Sequence, residues 1–390
     1  MRRRHLALSS VAVCAVALPL CVTGTAVASA ATTSPTHRVV VSGLNNPRQL
    51  SLTGEDALLI AEAGKGGDLA VISNPEEGTQ TIGLTGAVSA VWAPQFVNDS
   101  TPHRVVTGLI SAAAPDGTNG IGSDGVSAQH YSSIDIQETA TPDGVTLPPS
   151  VEVQDGKLLR SNFTQTPTVV ADIAAFERAN NPDGQAVDSD PYAVLKFRDY
   201  TLVADAAGND VLKVDKAGHV SVWRVFDNIT TQPCMDPSVQ QPPPNLPGCQ
   251  FVPDSLAVDK QGNVYVGGLA GLVPGQGQVA KISADGRHLL HTYTGFSDVT
   301  GVAVNDSGNL YVSQLYATPS TPGVPGVLSR VTPNGTRTDT DVPFPAGVAT
   351  DHFGNVYVSA YSTSPDTGLT DPSSGASVPG TSGQVWRLHW

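Results

Sequence analysis

The segment Leu256-Ala-Val-Asp-Lys-Gln-Gly-Asn-Val-Tyr-Val266 recurs as Val302-Ala-Val-Asn-Asp-Ser-Gly-Asn-Leu-Tyr-Val312 and again as Val348-Ala-Thr-Asp-His-Phe-Gly-Asn-Val-Tyr-Val358. The turn glycines stand at positions 262, 308 and 354, a spacing of 46 residues. Each copy is an apolar run, a turn in which Asp or Asn bonds backbone amides and Gly takes positive φ, and a return strand rich in β-branched and aromatic residues. A third strand follows at Gly277–Ile282 and Gly326–Val331, then an Asp285-Gly286 or Asn334-Gly335 turn and a fourth strand. A period in the forties built from four such strands specifies an all-β fold, a β-propeller with one four-stranded antiparallel blade per repeat.

Working outward, the chain of 390 residues opens with Arg2-Arg3-Arg4, an apolar run from Leu6 to Val22, and small residues at Ala28-Ser29-Ala30. That layout predicts a signal peptide over residues 1–31 and a secreted, extracytoplasmic protein. Whether the signal is of the general or the twin-arginine type stays open. Nothing later resembles a membrane span. Residues 32–390 then hold one propeller domain. Cys234 and Cys249 remain after cleavage, and an exported protein is expected to oxidise such a pair, closing a proline-rich loop over 234–249. Thirty-five acidic against twenty-one basic residues give a net charge of −14, which argues against nucleic acid and an anionic membrane surface as partners.

Taken in order, His37–Leu44 is a strand and Asn45-Asn46-Pro47-Arg48 turns into the first repeat. Asp68–Ile72 is expected as that repeat's third strand. Tyr131–Ile136 is expected as the inner strand of a degraded second repeat, after a glycine-rich loop from Pro115 to Gly125. Residues 138–190 read as an insertion whose Val169, Ile173 and Phe176 predict a helix from Val169 to Ala179. The last repeat lacks a fourth strand, so His37–Leu44 is expected to join it and close a six-bladed ring.

Several segments resemble the ScyD/ScyE family of exported propellers, and more distantly NHL- and TolB-like proteins. The matching residues are Ser42–Arg48, Ala61–Gly67, Ala171-Asp-Ile-Ala-Ala-Phe-Glu177, Asn180-Asn-Pro-Asp-Gly184, Asp190-Pro-Tyr192 and Val203-Ala-Asp-Ala-Ala-Gly-Asn-Asp210. The resemblance implies a six-bladed propeller outside the cytoplasm and carries no settled catalytic chemistry.

In such a fold the loops on one face surround the channel. They hold Asn46, Arg48, Glu62, Lys65, His130, Asp190, Tyr192, Asp205, Asn209, Asp254, Asp298 and Tyr361. Of these, Arg48, Glu62, Asp190, Asp205, Asn209, Asp254 and Asp298 are the candidate ligand-binding residues. They could bind a small molecule, glycan or protein, could hold Ca²⁺ or another divalent cation through oxygen ligands, or could supply the acid–base pair of a metal-assisted hydrolase, lactonase or lyase. The competing structural expectation is that Asp205 and Asn209 bond turn backbone while Glu62 pairs with Arg48. Tyr265, Tyr311 and Tyr357 are expected to pack between blades. No nucleophile elbow, phosphate loop or dinucleotide fingerprint is present.

Overall fold

The computed structural model describes residues 36–390 apart from 55–56, 75–77, 131–132, 143–144, 164–165, 240–245, 319–324, 364–368, 371–376 and 379–381. The signal expected at residues 1–31, Tyr131 and the middle of the proline-rich loop lie outside the described residues.

The three repeats fold as their residues dictate. Asp259 accepts the amides of Gln261 and Asn263 at 3.0 and 2.9 Å, and Gly262, at φ 85°, closes the turn onto the Asp259 carbonyl. Asn305 and Asp351 rebuild this cage around Gly308 and Gly354. Tyr265, Tyr311 and Tyr357 are buried, each packed against apolar residues of the next sheet.

Four separate antiparallel sheets have four strands each. Three run Pro191–Lys196 to Val220–Val225, Pro253–Val258 to Leu289–Phe296, and Val299–Val304 to Arg337–Asp341. The fourth contains Val348–Thr350, Asn355–Ala360 and Gly383–His389, and its outer strand is His37–Leu44 from the other end of the chain. His37 lies opposite Leu388 and Leu44 opposite Gly383, so the N-terminal strand does join the last sheet.

The strands between Pro47 and Asp172 form one nine-stranded path. It comprises two four-stranded units, joined where Ser111 and Ala112 pair with Gly122 and Ile121, and one extra hairpin strand. Here three sequence expectations fail. The third strand of the first unit is the second half of Gly78–Trp92, while Ala70–Asn74 only forms a hairpin with the first half. The inner strand of the second unit is Ile121–Ser127, and Ile134–Glu138 is its second strand. Residues 138–190 are no simple insertion, because Lys157–Ser161 and Thr168–Asp172 complete that sheet. The helix is shorter than expected, Ile173–Asn180, because Asp172 caps it by accepting Ala175 N–H at 2.9 Å.

Glycine disguised these strands as loop. A Cβ at Gly125 would stand 2.6 Å from the Tyr192 carbonyl oxygen, so the neighbouring strand admits no side chain there. The same close approach occurs at Gly347, where a Cβ would stand 2.5 Å from the Arg48 carbonyl oxygen.

The arrangement is that of a β-propeller. The first strand of each unit lies beside that of the next, in the order Pro47–Leu52, Ile121–Ser127, Pro191–Lys196, Pro253–Val258, Val299–Val304 and Val348–Thr350, and the last lies beside the first. These inner strands form no ladder with one another, so side chains must satisfy their backbone. Gln49 does this for two neighbours: its Oε1 accepts Val126 N–H and Val194 N–H, both at 3.1 Å, and its Nε2 donates to the Val194 carbonyl at 2.9 Å. Gln49→Ala strands these groups, each unsatisfied buried group costing about 1–3 kcal/mol. The variant is expected to unfold at lower denaturant with an unchanged slope, measured by urea titration of tryptophan fluorescence.

Candidate functional site

The mouth is built where inner strands begin. Arg48 enters it from the first strand and is buried. Its Nε donates to Asp124 Oδ1 at 3.1 Å, Nη1 donates to the Ser362 carbonyl at 3.0 Å, and Nη2 donates to the Gly120 carbonyl. Asp124 Oδ2 accepts Gly122 N–H at 3.1 Å. Burial opposes the Arg48 charge, but Tyr192 and Asp124 outweigh it and hold the guanidinium above its ordinary pKa. Burial also pushes Asp124 up, against the pull of Arg48. Asp124 was hidden from sequence reading inside the glycine-rich stretch.

Around this ion pair stand carboxylates that repel one another. Asp190 accepts the Thr139 hydroxyl at 2.6 Å and is pushed up to about 7, by burial first and then by Asp124, Asp205 and Asp188. Asp254 is raised well above the carboxylate range by burial, with Asp298 and Asp190 adding to the shift. Burial lifts Asp298 to about 6. Asp254 Oδ1 and Asp298 Oδ1 are buried with no hydrogen-bond partner. Behind Asp124, Glu138 is raised by burial and accepts the Ser123 hydroxyl on both oxygens at 2.9 Å.

So Arg48, Asp190, Asp254 and Asp298 come together, with Tyr192 and Asp124. The other candidates are committed to partners of their own. Glu62 pairs with Arg104, at 2.8 Å from Nη2, and also accepts Asn45 N–H and the Ser89 hydroxyl. The expected Arg48–Glu62 pair does not form, because each has a nearer partner of its own. Asp205 is spent on the Ser189 hydroxyl and the amides of Asp190 and Gly208. Asn209 donates to the Phe226 carbonyl at 2.8 Å and accepts Val252 N–H at 3.1 Å, tying its hairpin to the start of the next unit. His130 lies beside Gly54, in the turn at the far end of the first strand, and not at the mouth. Cys234 and Cys249 form the expected disulfide.

A second carboxylate group adjoins Asp205. Burial first, and then like charges, raise Glu177 to about 8 and Asp210 to about 9. Their segments had been singled out only as matching motifs. Among the described residues no group of three or more His, Cys, Asp or Glu side chains is placed to hold a metal ion. Nor is any described helix long and apolar enough to cross a membrane.

No protein-family model matches the chain, and a search of curated proteins finds no relative. Among solved structures it is similar to a streptogramin B lyase, at 10 % identity and TM-score 0.45, covering 93 % of this chain and 99 % of that one. It is similar to a PQQ-bound aldose sugar dehydrogenase from Streptomyces coelicolor, at 13 % identity and TM-score 0.46, covering 91 % and 98 %. It is also similar to a gluconolactonase from Xanthomonas campestris, at 10 % identity and TM-score 0.46, covering 91 % and 89 %. At these values the likeness carries no argument about chemistry.

The raised carboxylates have a consequence for stability. Folded Asp190 and Asp298 keep protons that the unfolded chain releases above about pH 4, so their contribution is full below that pH and lost as pH rises through about 6 to 7. Unfolding free energy is expected to fall between about pH 5 and 8, and Asp190→Asn to flatten that slope. Urea titrations across this range check it.

Proposed function

We propose that the protein is an exported, six-bladed propeller of the ScyD/ScyE type, closed by its N-terminal strand, whose channel mouth binds a small molecule and acts on it by acid–base chemistry of the hydrolase or lyase class. The observation that carries this is Asp254: a buried carboxyl with one unpartnered oxygen, pushed well above the carboxylate range by burial and by the neighbouring Asp298 and Asp190. Carboxyls whose environments push their pKa values apart divide the roles of acid and base. Asp254, whose carboxyl burial pushes well above its ordinary range, is the candidate acid and donates to a leaving oxygen. Asp298, largely ionised there, takes a proton from water or from carbon. Arg48 positions Asp124 and the strand ends around them. A cation-assisted version would rest on Asp254 Oδ1 and Asp298 Oδ1, two oxygens where a calcium ion takes six to eight. The mouth residues therefore do not make a metal centre by themselves, and no step is derived through one.

A binding-only role is favoured by a different observation. All three nitrogens of Arg48 are committed to protein acceptors, which leaves the guanidinium less able to steady a developing negative charge. Export is supported by the disulfide and by the leader-like residues 1–31.

The test is hydrolysis or elimination on a panel of lactones, esters and cyclic uronides by the mature protein, followed by proton release. Asp254→Asn is expected to lower kcat/KM by about 10²-fold or more, the usual contribution of a general acid. Full activity in that variant contradicts the assignment. No turnover, with a ligand-dependent thermal shift that Asp254→Asn abolishes, establishes binding alone.

A further inference from the structure

The helix Ile173–Asn180 packs its last turn over the hairpin that links Tyr200–Asp205 to Asp210–Asp215. Asn181 caps the helix in the left-handed region, at φ 41°, and its N–H donates to the Glu177 carbonyl at 2.8 Å, which holds it at the same helix end as Glu177. A Cβ placed on Gly208 would stand 3.2 Å from Glu177 Oε2 and 3.1 Å from Asp205 Cγ, so the helix carboxylate rests directly on the hairpin turn. Asp210 closes that hairpin opposite Asp205. Glu177 and Asp210 are both 0 % exposed.

Five buried oxygens here have no hydrogen-bond donor: both of Glu177, both of Asp210, and Asn181 Oδ1. Buried polar atoms are nearly always paired, and unpaired carboxylates are the costliest exceptions. The surrounding polar groups are already committed. Asp205 is saturated by Ser189, Asp190 and Gly208, and Asp183 accepts the backbone and side-chain amides of Gln185. No described lysine or arginine forms an ion pair with either carboxylate. The donor set is all oxygen, two carboxylates and an amide, held by two separate elements. Such a set suits a hard cation of calcium's size, and lacks the imidazole or thiolate that selects transition metals.

We propose that Glu177, Asn181 and Asp210 bind a calcium ion that pins the helix to this hairpin, as a structural site separate from the channel mouth. Three of the sequence motifs noted above, Ala171–Glu177, Asn180–Gly184 and Val203–Asp210, converge on it from separate stretches of chain. The ion neutralises carboxylates that protons would otherwise have to neutralise.

The test uses the mature protein, stripped with EGTA and then dialysed against calcium chloride, with bound calcium measured per chain and unfolding temperature read in calcium and in EGTA. The wild type is expected to retain one calcium and to melt higher in calcium. Glu177→Gln and Asp210→Asn are expected to weaken binding by about 100-fold or more, given that even outer-shell changes cost 10–100-fold. Asn181→Ala, which leaves both carboxylates in place, guards against variants that fail to fold and should weaken binding as well. Asp254→Asn should leave calcium binding unchanged, so failure of the mouth assignment does not touch this one. A wild type that retains no calcium and melts identically in EGTA overturns the proposal. So does calcium binding that survives Glu177→Gln or that is lost in Asp254→Asn.

Discussion

Inner strands that stand side by side without forming a ladder with one another set the terms for this molecule. Each has an edge of backbone N–H and C=O groups that sheet pairing does not reach, and burial forbids leaving them bare. The chain answers with short polar side chains and one long amide. Gln49 bridges the strands at Val126 and Val194, Ser127 accepts Lys196 N–H, Thr300 donates to the Pro345 carbonyl, and Ser359 donates to the Arg48 carbonyl. Glycine at 125, 301 and 347 lets one backbone approach the next where a side chain would collide. The same constraint makes the mouth: strand starts too close-packed for solvent hold carboxyls whose charge is penalised by burial.

Sequence and structure agree where local chemistry is complete in a few residues. The Asp259, Asn305 and Asp351 turns each contain their acceptor, their amides and their positive-φ glycine, so the repeat and its strands were legible. The first two units were legible only in part: the paired strands Pro47–Leu52 and Ala57–Glu62 were, and the strands after them were not. Gly120, Gly122 and Gly125 make an inner strand look like a loop, although close packing against the Ile110 and Tyr192 carbonyls is the reason for glycine at 122 and 125. The strand Gly78–Trp92 shifts register between Gly83 and Gly86, so its period of two breaks in the middle. Both failures follow from long-range approach, which no window of sequence contains.

The site divided in the same way. That Arg48, Asp190, Asp254 and Asp298 stand at the starts of inner strands could be read from the repeat. Which carboxylates would be satisfied could not. Asp205 serves its turn through Gly208 N–H as the structural expectation has it, but Asn209 reaches past its turn to Phe226 and Val252, and Glu62 finds Arg104 across the sheet, a pairing set by register. Asp124, Glu177 and Asp210 matter because they are buried together, and burial is a property of the assembled fold.

The account rests on mouth carboxyls that hold protons near neutrality, and their titration tests it most directly. Carboxyl-¹³C aspartate spectra of the mature protein, assigned with single Asp→Asn variants, should show Asp254 titrating well above the ordinary aspartate range, Asp190 with a midpoint near 7 and Asp298 near 6. If all three are ionised below about pH 5, near the ordinary aspartate value, the mouth is a solvated acidic rim and the acid–base assignment fails.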